Sequence, residues 1–455
     1  MSLPMPADAA PDRLRAADLS ACLPATAEVV GGRLLVGGVD LARLAEREGT
    51  PLYVYDEADL RGRMRAYRES FSACSDRLPA GADVVYAGKA FLDKAMVRLV
   101  DEEGLCLDVS GGGELAIALA AGFDAARVVV HGNNKTPVEI AEAIAAGVGR
   151  IVVDNLAELA RVSAASVKAG VTQDILLRIT PGIHVDTNDY VVTGCEDSKF
   201  GFTLLDDVAF RAVGTALDTP GVRLVGVHMH VGSQVLDVRP YRQAIDVMCD
   251  LLARVRDAYG VELAQFDLGG GLGVAYDAAE RPTSVADFVA FLVDGVHEAC
   301  AERGLAVPHL AVEPGRSIAA VAGVALYRVG AVKPLPGIRT YVAVDGGMSD
   351  DIRCALYGST YECLLPERAD EPRDCVVTVC GKHCESGDVI VRDASLPEPH
   401  EGDVLAVLGT GAYCCSMASN YNGQPRPAVV FVADGEARVV TRRETYEDLL
   451  RRDVG

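Results

Sequence analysis

The chain has 455 residues, half of them apolar, with no Trp and a net charge of −22 spread along its length. That length exceeds one ordinary core and implies two domains, and the Ala/Val/Leu-rich composition is that of an α/β enzyme, not a disordered or fibrous chain. So acidic a surface disfavours nucleic acid and anionic membrane as partners, and a phosphate ligand then needs its own arginines and backbone amides.

The opening MSLPMPADAAPDRLR lacks the basic start and apolar core of a secretory signal, and no apolar run reaches membrane-spanning length. Thirteen Cys are scattered without C-x-x-C pairs or a disulfide framework, which reads as reduced thiols in a cytoplasmic protein. Residues 1–27, rich in Ala, Pro and Asp, form a flexible arm. Residues 28–58 carry short β runs (33–36 and 52–55) expected to join a later β domain.

From 59 to 323 short apolar runs alternate with helical stretches, the rhythm of parallel strands with crossover helices. The expected strands are 83–87, 106–109, 128–131, 151–154, 175–180, 224–231, 266–268 and 310–312. Helices are expected at 95–103, 114–121, 138–146 and 156–168, among others. Eight units in about 250 residues is the pattern of a (β/α)8 barrel of the TIM type, with a doubly wound open sheet as the alternative. From 324 to 455 Gly- and Pro-punctuated strands (341–344, 376–379, 404–407, 429–432, 438–441) read as an all-β domain that also takes in the N-terminal strands.

A barrel's active site lies at the C-terminal ends of its strands. Read in order, those ends offer Lys89, Asp108, His131, Arg178, His228 with His230, Gly269-Gly270-Gly271, and Glu313 with Arg316. Lys89 suits Schiff-base chemistry, which needs an amine near a carbonyl and partly shielded from water; the bland alternative is a surface lysine capping the next helix. The glycines let backbone amides approach a phosphate, although glycine clusters also make ordinary turns. Glu313 suits a protonated pyridine nitrogen and Arg316 a phosphate or carboxylate, against a plain rim ion pair. His228 and His230 fit either a ring stacked on an aromatic cofactor or two metal ligands of a barrel hydrolase; His131, His184 and His383 are dispersed in sequence and suggest no third ligand. In the β domain, Gly381–Asp388 packs Lys, His, Cys384 and Glu385 between glycines, where a thiol can donate a proton. Tyr413 sits in a similar glycine-flanked loop, 409–413.

Ten ordered blocks carry a family resemblance. They are YAGKAF (86–91), GLCLDVSGGGEL (104–115), HGNNK (131–135), TGCEDSKFGF (193–202), HMHVGSQ (228–234) and DLGGGLGVAY (267–276). EPGRS (313–317), DGGMSDDIRCALYG (345–358), GKHCESGD (381–388) and GTGAYCCSMASNYN (409–422) complete the set. The chain resembles the fold type III pyridoxal-phosphate decarboxylases, and most closely the diaminopimelate decarboxylase family. The resemblance implies pyridoxal 5'-phosphate as cofactor and a homodimer whose sites are completed across the interface. It implies decarboxylation of meso-2,6-diaminopimelate to L-lysine, the last step of lysine biosynthesis.

By the same resemblance Lys89 carries the cofactor and His230 stacks on its ring. Ser233, Gly269, Gly270, Gly271 and Gly315 hold phosphate, and Glu313 meets the pyridine nitrogen. Arg316, Arg353, Tyr357 and Glu385 grip the substrate, and Tyr413 contacts cofactor and substrate. Cys384, contributed by the partner subunit, reprotonates the α-carbon. The chain departs from the family pattern at Asn188, Asp351 and Cys354, where His, Asn and Pro are usual. Asp351 and Cys354 flank Arg353, and an added carboxylate there is expected to loosen its hold on an anionic substrate end. A related decarboxylase of another diamino acid or of a specialised-metabolite intermediate is therefore the competing reading.

Overall fold

The computed structural model describes residues 16–183 and 198–455. His184, Asn188 and the first five residues of the TGCEDSKFGF block lie outside them. Two compact units result: Asp59–Val274 with Arg281–Ala320, and Met1–Ala58 with Ala275–Glu280 and Val321–Gly455. The barrel segment expected as 59–323 thus cedes its residues 275–280 and 321–323 to the β unit.

In the first unit the strands Ala82–Ala87, Cys106–Val109, Val128–Val130, Arg150–Val153, Gln173–Thr180, Val222–Met229, Gln265–Asp267 and His309–Val312 pair in parallel. The eighth pairs with the first, Ala311 opposite Asp83, so the sheet closes and the open-sheet alternative falls. Helices between them carry ordinary start and stop signals. Pro137–Ala146, for example, opens with a Thr136/Glu139 capping box and ends on Gly147 in the left-handed region, φ 75°.

Alternate residues along a strand face the same side, so the inward positions can be read at a spacing of two. They stack in three layers. Asp83, Arg150 and His309 lie at the N-terminal end, where Arg150 donates to Asp83 Oδ2 at 2.7 Å and, toward the middle layer, to Gln265 Oε1 at 3.2 Å. Val85, Val129, Val152, Leu176 and Ala311 fill the middle as one apolar cluster. Two residues further along these and the neighbouring strands come Asp108, His131, Asp154, Arg178, His228, Asp267 and Glu313. The apolar layer plugs the barrel, so the last layer is the floor of a site and not the wall of a pore.

The second unit is a mixed sheet in the order Val389–Leu396, Cys375–Cys380, Arg339–Val344, Gly323–Leu335, Leu52–Asp56, Ala428–Ala433, Glu436–Thr441, with Val404–Leu408 also on Gly323–Leu335. Leu52–Asp56 enters the centre of this sheet, antiparallel to Gly323–Leu335 and parallel to Ala428–Ala433. The earlier strands Glu28–Val30, Arg33–Val36 and Val39–Asp40 instead form their own small sheet, and their side chains Leu34 and Val36 reach the same core. The arm is not loose as far as residue 27. Leu19 and Cys22 are fully buried in that core, and Thr26 hydrogen-bonds Asp56 Oδ2 through its amide (3.1 Å) and hydroxyl (2.6 Å). Two apolar side chains in an Ala/Pro/Asp-rich stretch sufficed to anchor it.

Candidate active site

Glu313 lies just past the eighth barrel strand and is almost fully buried. His131 Nε2 approaches its Oε1 to 2.6 Å, and His228 Nε2 lies 3.1 Å from its Oε2. Burial alone would raise the Glu313 carboxyl, but the two imidazoles more than reverse this and hold it well below the usual carboxylate range. The two rings shift in opposite directions. Burial lowers His228 to about 4 despite Glu313 beside it. His131 is raised, because the Glu313 and Asp108 charges outweigh its burial. His131 is therefore not remote, as its place in the sequence suggested; the three side chains' polar atoms gather within 4.8 Å of one another.

The expected His228–His230 pair does not converge. Val222–Met229 ends before His230, so the regular alternation of the strand does not extend to it. His228 faces Glu313, whereas His230 packs over Gly269, where a Cβ would meet its Nδ1 at 3.1 Å. Burial keeps His230 well below the ordinary imidazole range, so it is a neutral ring.

The remaining rim residues surround this floor. Lys89 is exposed on the short turn Gly88–Ala90 that follows the first strand. Asp108 is buried, and its Oδ1 has no hydrogen-bond partner. Burial pushes its carboxyl up to about 6, with Glu313 adding to the rise and His131 and Lys89 opposing it. Asp267 is raised further by burial and by Glu313, while its Oδ1 accepts from the Gly269 amide at 2.9 Å. Arg316 Nη2 donates to Ser233 Oγ at 2.8 Å. Gly270 and Gly271 admit no side chain: a Cβ would lie 2.2 Å from Glu313 O and 2.4 Å from Gly232 O. Gly315 is seated less tightly, with its Cβ position 3.0 Å from those of Ala87 and Ala90.

In the β unit, Arg353 is buried among three tyrosines. Its Nη1 donates to Tyr361 Oη at 2.6 Å and Tyr276 Oη at 3.3 Å, and its guanidinium carbon lies 5.3–5.8 Å from the ring centres of Tyr276, Tyr361 and Tyr413. Tyr413 takes φ 71°, an uncommon conformation for a tyrosine and one that marks a presented side chain. Asp351 does not pair with the guanidinium: its Oδ1 accepts the Arg353 backbone N–H at 3.1 Å, and burial raises its carboxyl. Cys354 is buried beside it and its thiol is raised by burial. Tyr357 is half-buried.

Cys384 and Glu385 are exposed on a loop held from beneath. Asp388 accepts the His383 amide at 2.8 Å and the Met348 amide at 2.6 Å, and the His383 ring bridges Ser349 Oγ (2.9 Å) and Asn422 Oδ1 (3.2 Å). Sequence reasoning assigned no role to His131, Asp108, Asp267, Tyr276 or Tyr361. The first three were legible as the inward residue two places beyond a mid-barrel position; Tyr361 carried no signal outside the fold.

Residues 58–320 match the pyridoxal-binding domain of the pyridoxal-dependent decarboxylases. Diaminopimelate decarboxylase of Bacillus subtilis is 46% identical over 423 residues, covering 93% of this chain and 95% of that one. The enzyme of the same name from Actinosynnema pretiosum is 49% identical, covering 93% of each. Among solved structures, diaminopimelate decarboxylase from M. jannaschii in complex with L-lysine superposes with a TM-score of 0.88 at 33% identity, over 95% of this chain and 98% of that one. These matches place the chain among the pyridoxal-dependent decarboxylases and, within them, in the diaminopimelate decarboxylase family. It is a lyase whose cofactor is pyridoxal 5'-phosphate and whose substrate is an amino acid.

The rim fits that cofactor. A cradle closed to any Cβ at Gly270 and Gly271 suits a phosphate, a carboxylate held ionised by two imidazoles suits a protonated ring nitrogen, and an exposed amine lies at the same end of the barrel. Among the described residues, no helix is long and apolar enough to cross a membrane.

Proposed function

We propose that this chain decarboxylates meso-2,6-diaminopimelate to L-lysine and CO2, the last step of lysine biosynthesis, as a cytoplasmic homodimer. The observation that carries the reading is the concentration of amine, ionised carboxylate, guanidinium–hydroxyl pair and glycine cradle at one end of one barrel. The relatives' names and their two-way coverage supply the substrate. When bound, pyridoxal phosphate supplies the electron sink for the pair released as the Cα–carboxylate bond breaks.

The chain's own residues do the rest. Lys89 provides the amine that holds the cofactor, and Glu313 keeps its ring nitrogen protonated. Ser233, Arg316, Gly315 and the glycines at 269–271 bind phosphate. His230, being neutral, packs on the ring without adding charge. Arg353, framed by tyrosines, binds the distal carboxylate with Tyr357, Tyr413, Glu385 and Arg316. Cys384 Sγ delivers the proton to Cα. The absence of a disulfide among the described cysteines supports a reducing compartment.

Cys384 and Glu385 stand exposed on an anchored loop, which supports their use by a second copy of the chain. Mixing inactive Lys89→Ala and Cys384→Ala homodimers should then restore about a quarter of full activity, because half of the sites in the mixed dimers regain both residues. No recovery after verified subunit exchange would refute shared sites. For the substrate, holoenzyme given meso-diaminopimelate should form lysine, and given lysine or ornithine should form no cadaverine or putrescine. Cadaverine production without lysine formation would overturn the assignment.

A further inference from the structure

We propose that His131 is a positioning residue for Glu313: its Nε2, 2.6 Å from Oε1, keeps this carboxylate ionised and oriented, and so governs the protonation of the cofactor's ring nitrogen. The proposal rests on the reading that Glu313 meets that nitrogen. His131 is fixed from both sides. Its backbone N–H donates to Val109 O at 2.8 Å, and its ring stands edge-on to His228, with centres 5.0 Å apart.

The charged neighbours come from several strands. Asp108 faces it from the second, Arg178 from the fifth, His228 from the sixth and Glu313 from the eighth. Two imidazolium rings 5.0 Å apart in a buried site, with Arg178 also near, would repel strongly, so at most one of the two rings carries a charge. Asp108 selects which ring that is. It acts on His131, whereas the charges acting on His228 besides Glu313 are His131 and Arg178, both repulsive. The result is an asymmetric clamp, with the His131 ring nitrogen against Oε1 at 2.6 Å and the His228 ring nitrogen against Oε2 at 3.1 Å. Removing His131 leaves Glu313 buried with only a neutral partner, and its affinity for a proton rises. A carboxylic acid at this position no longer stabilises a pyridinium.

The test is 15N NMR of holoenzyme loaded with pyridoxal phosphate labelled at the ring nitrogen, followed across pH. Glu313→Gln is the control for the underlying reading and should move the resonance toward neutral pyridine; if it does not, Glu313 does not meet the nitrogen. Given that control, His131→Asn should lower the apparent pKa of the ring nitrogen by about one unit or more, a tenfold change in its protonation ratio. His131→Gln keeps a donor without the charge and should shift it in the same direction by less; it carries the comparison if the Asn variant fails to load. Ring-nitrogen titrations in the His131 variants that coincide with wild type, while Glu313→Gln shifts, would overturn the proposal.

Discussion

The two ends of the barrel spend the same residue types in opposite ways. At the N-terminal end Asp83 meets Arg150 at 2.7 Å and His309 at 3.2 Å. Burial would raise the Asp83 carboxyl, but these two partners bring it down to about 2. At the C-terminal end Asp108 keeps one oxygen without a hydrogen-bond partner and is pushed up to about 6. One apolar layer separates them. Satisfied charge at the first end stabilises the fold; unsatisfied charge at the second is what a ligand can use, and the fold bears its cost.

Substitutions at the two ends should therefore part activity from stability. The largest effect is expected from Glu313→Gln, with kcat down by about 10²–10³-fold, the usual cost of losing one oriented electrostatic partner, and no loss in apoprotein unfolding free energy. Steady-state kinetics with urea titration reads both. Arg150→Met should do the reverse, costing about 2–3 kcal/mol of stability because it strands a mostly buried carboxylate, with kcat per folded molecule unchanged. A comparable kcat loss in Arg150→Met would dissolve the distinction between the ends.

Asp108→Asn should stabilise the apoprotein at pH 7 by about 1–3 kcal/mol while lowering activity. The sign follows from linkage. The folded pKa of about 6 exceeds the unfolded value of about 3.9, so the native state binds more protons between them and loses stability as pH rises through that window. The gain should vanish below pH 4. Asp83 runs the other way, its contribution present above about pH 4 and lost as pH falls toward 2. Unfolding free energies of both Asn variants from pH 3 to 7 should give slopes of opposite sign relative to wild type. The smallest effect belongs to Tyr361→Phe, which removes one hydrogen bond to Arg353 and should raise KM about 3- to 10-fold with little change in kcat.

The contrast between the ends also marks what could be read from sequence. Eight strand–helix units, their order and the rim residues were legible because inward positions recur at spacing two and chemistry-bearing residues end most strands. The chain from Gly323 to Leu335 was not, since its Gly and Pro disguise a 13-residue strand that organises the β unit. The clamp on Glu313 was half legible: His131 and His228 each lie at the end of a strand, but the 96 residues between them hide that two strands aim them at one carboxylate. His228 and His230, two apart in sequence, part because the strand ends at Met229, between them, which no composition signals. Burial decided the rest, because the opposite shifts of His131 and His228 come from their neighbours, not from the residue.

The most direct measurement is borohydride reduction of the pyridoxal-phosphate-loaded protein followed by peptide mass mapping. A phosphopyridoxyl group on Lys89, lost in Glu313→Gln only to the extent that loading is lost, is the expected result. Modification confined to another lysine, such as the buried Lys135 or Lys94 on the following helix, would contradict the assignment of the cofactor amine to Lys89.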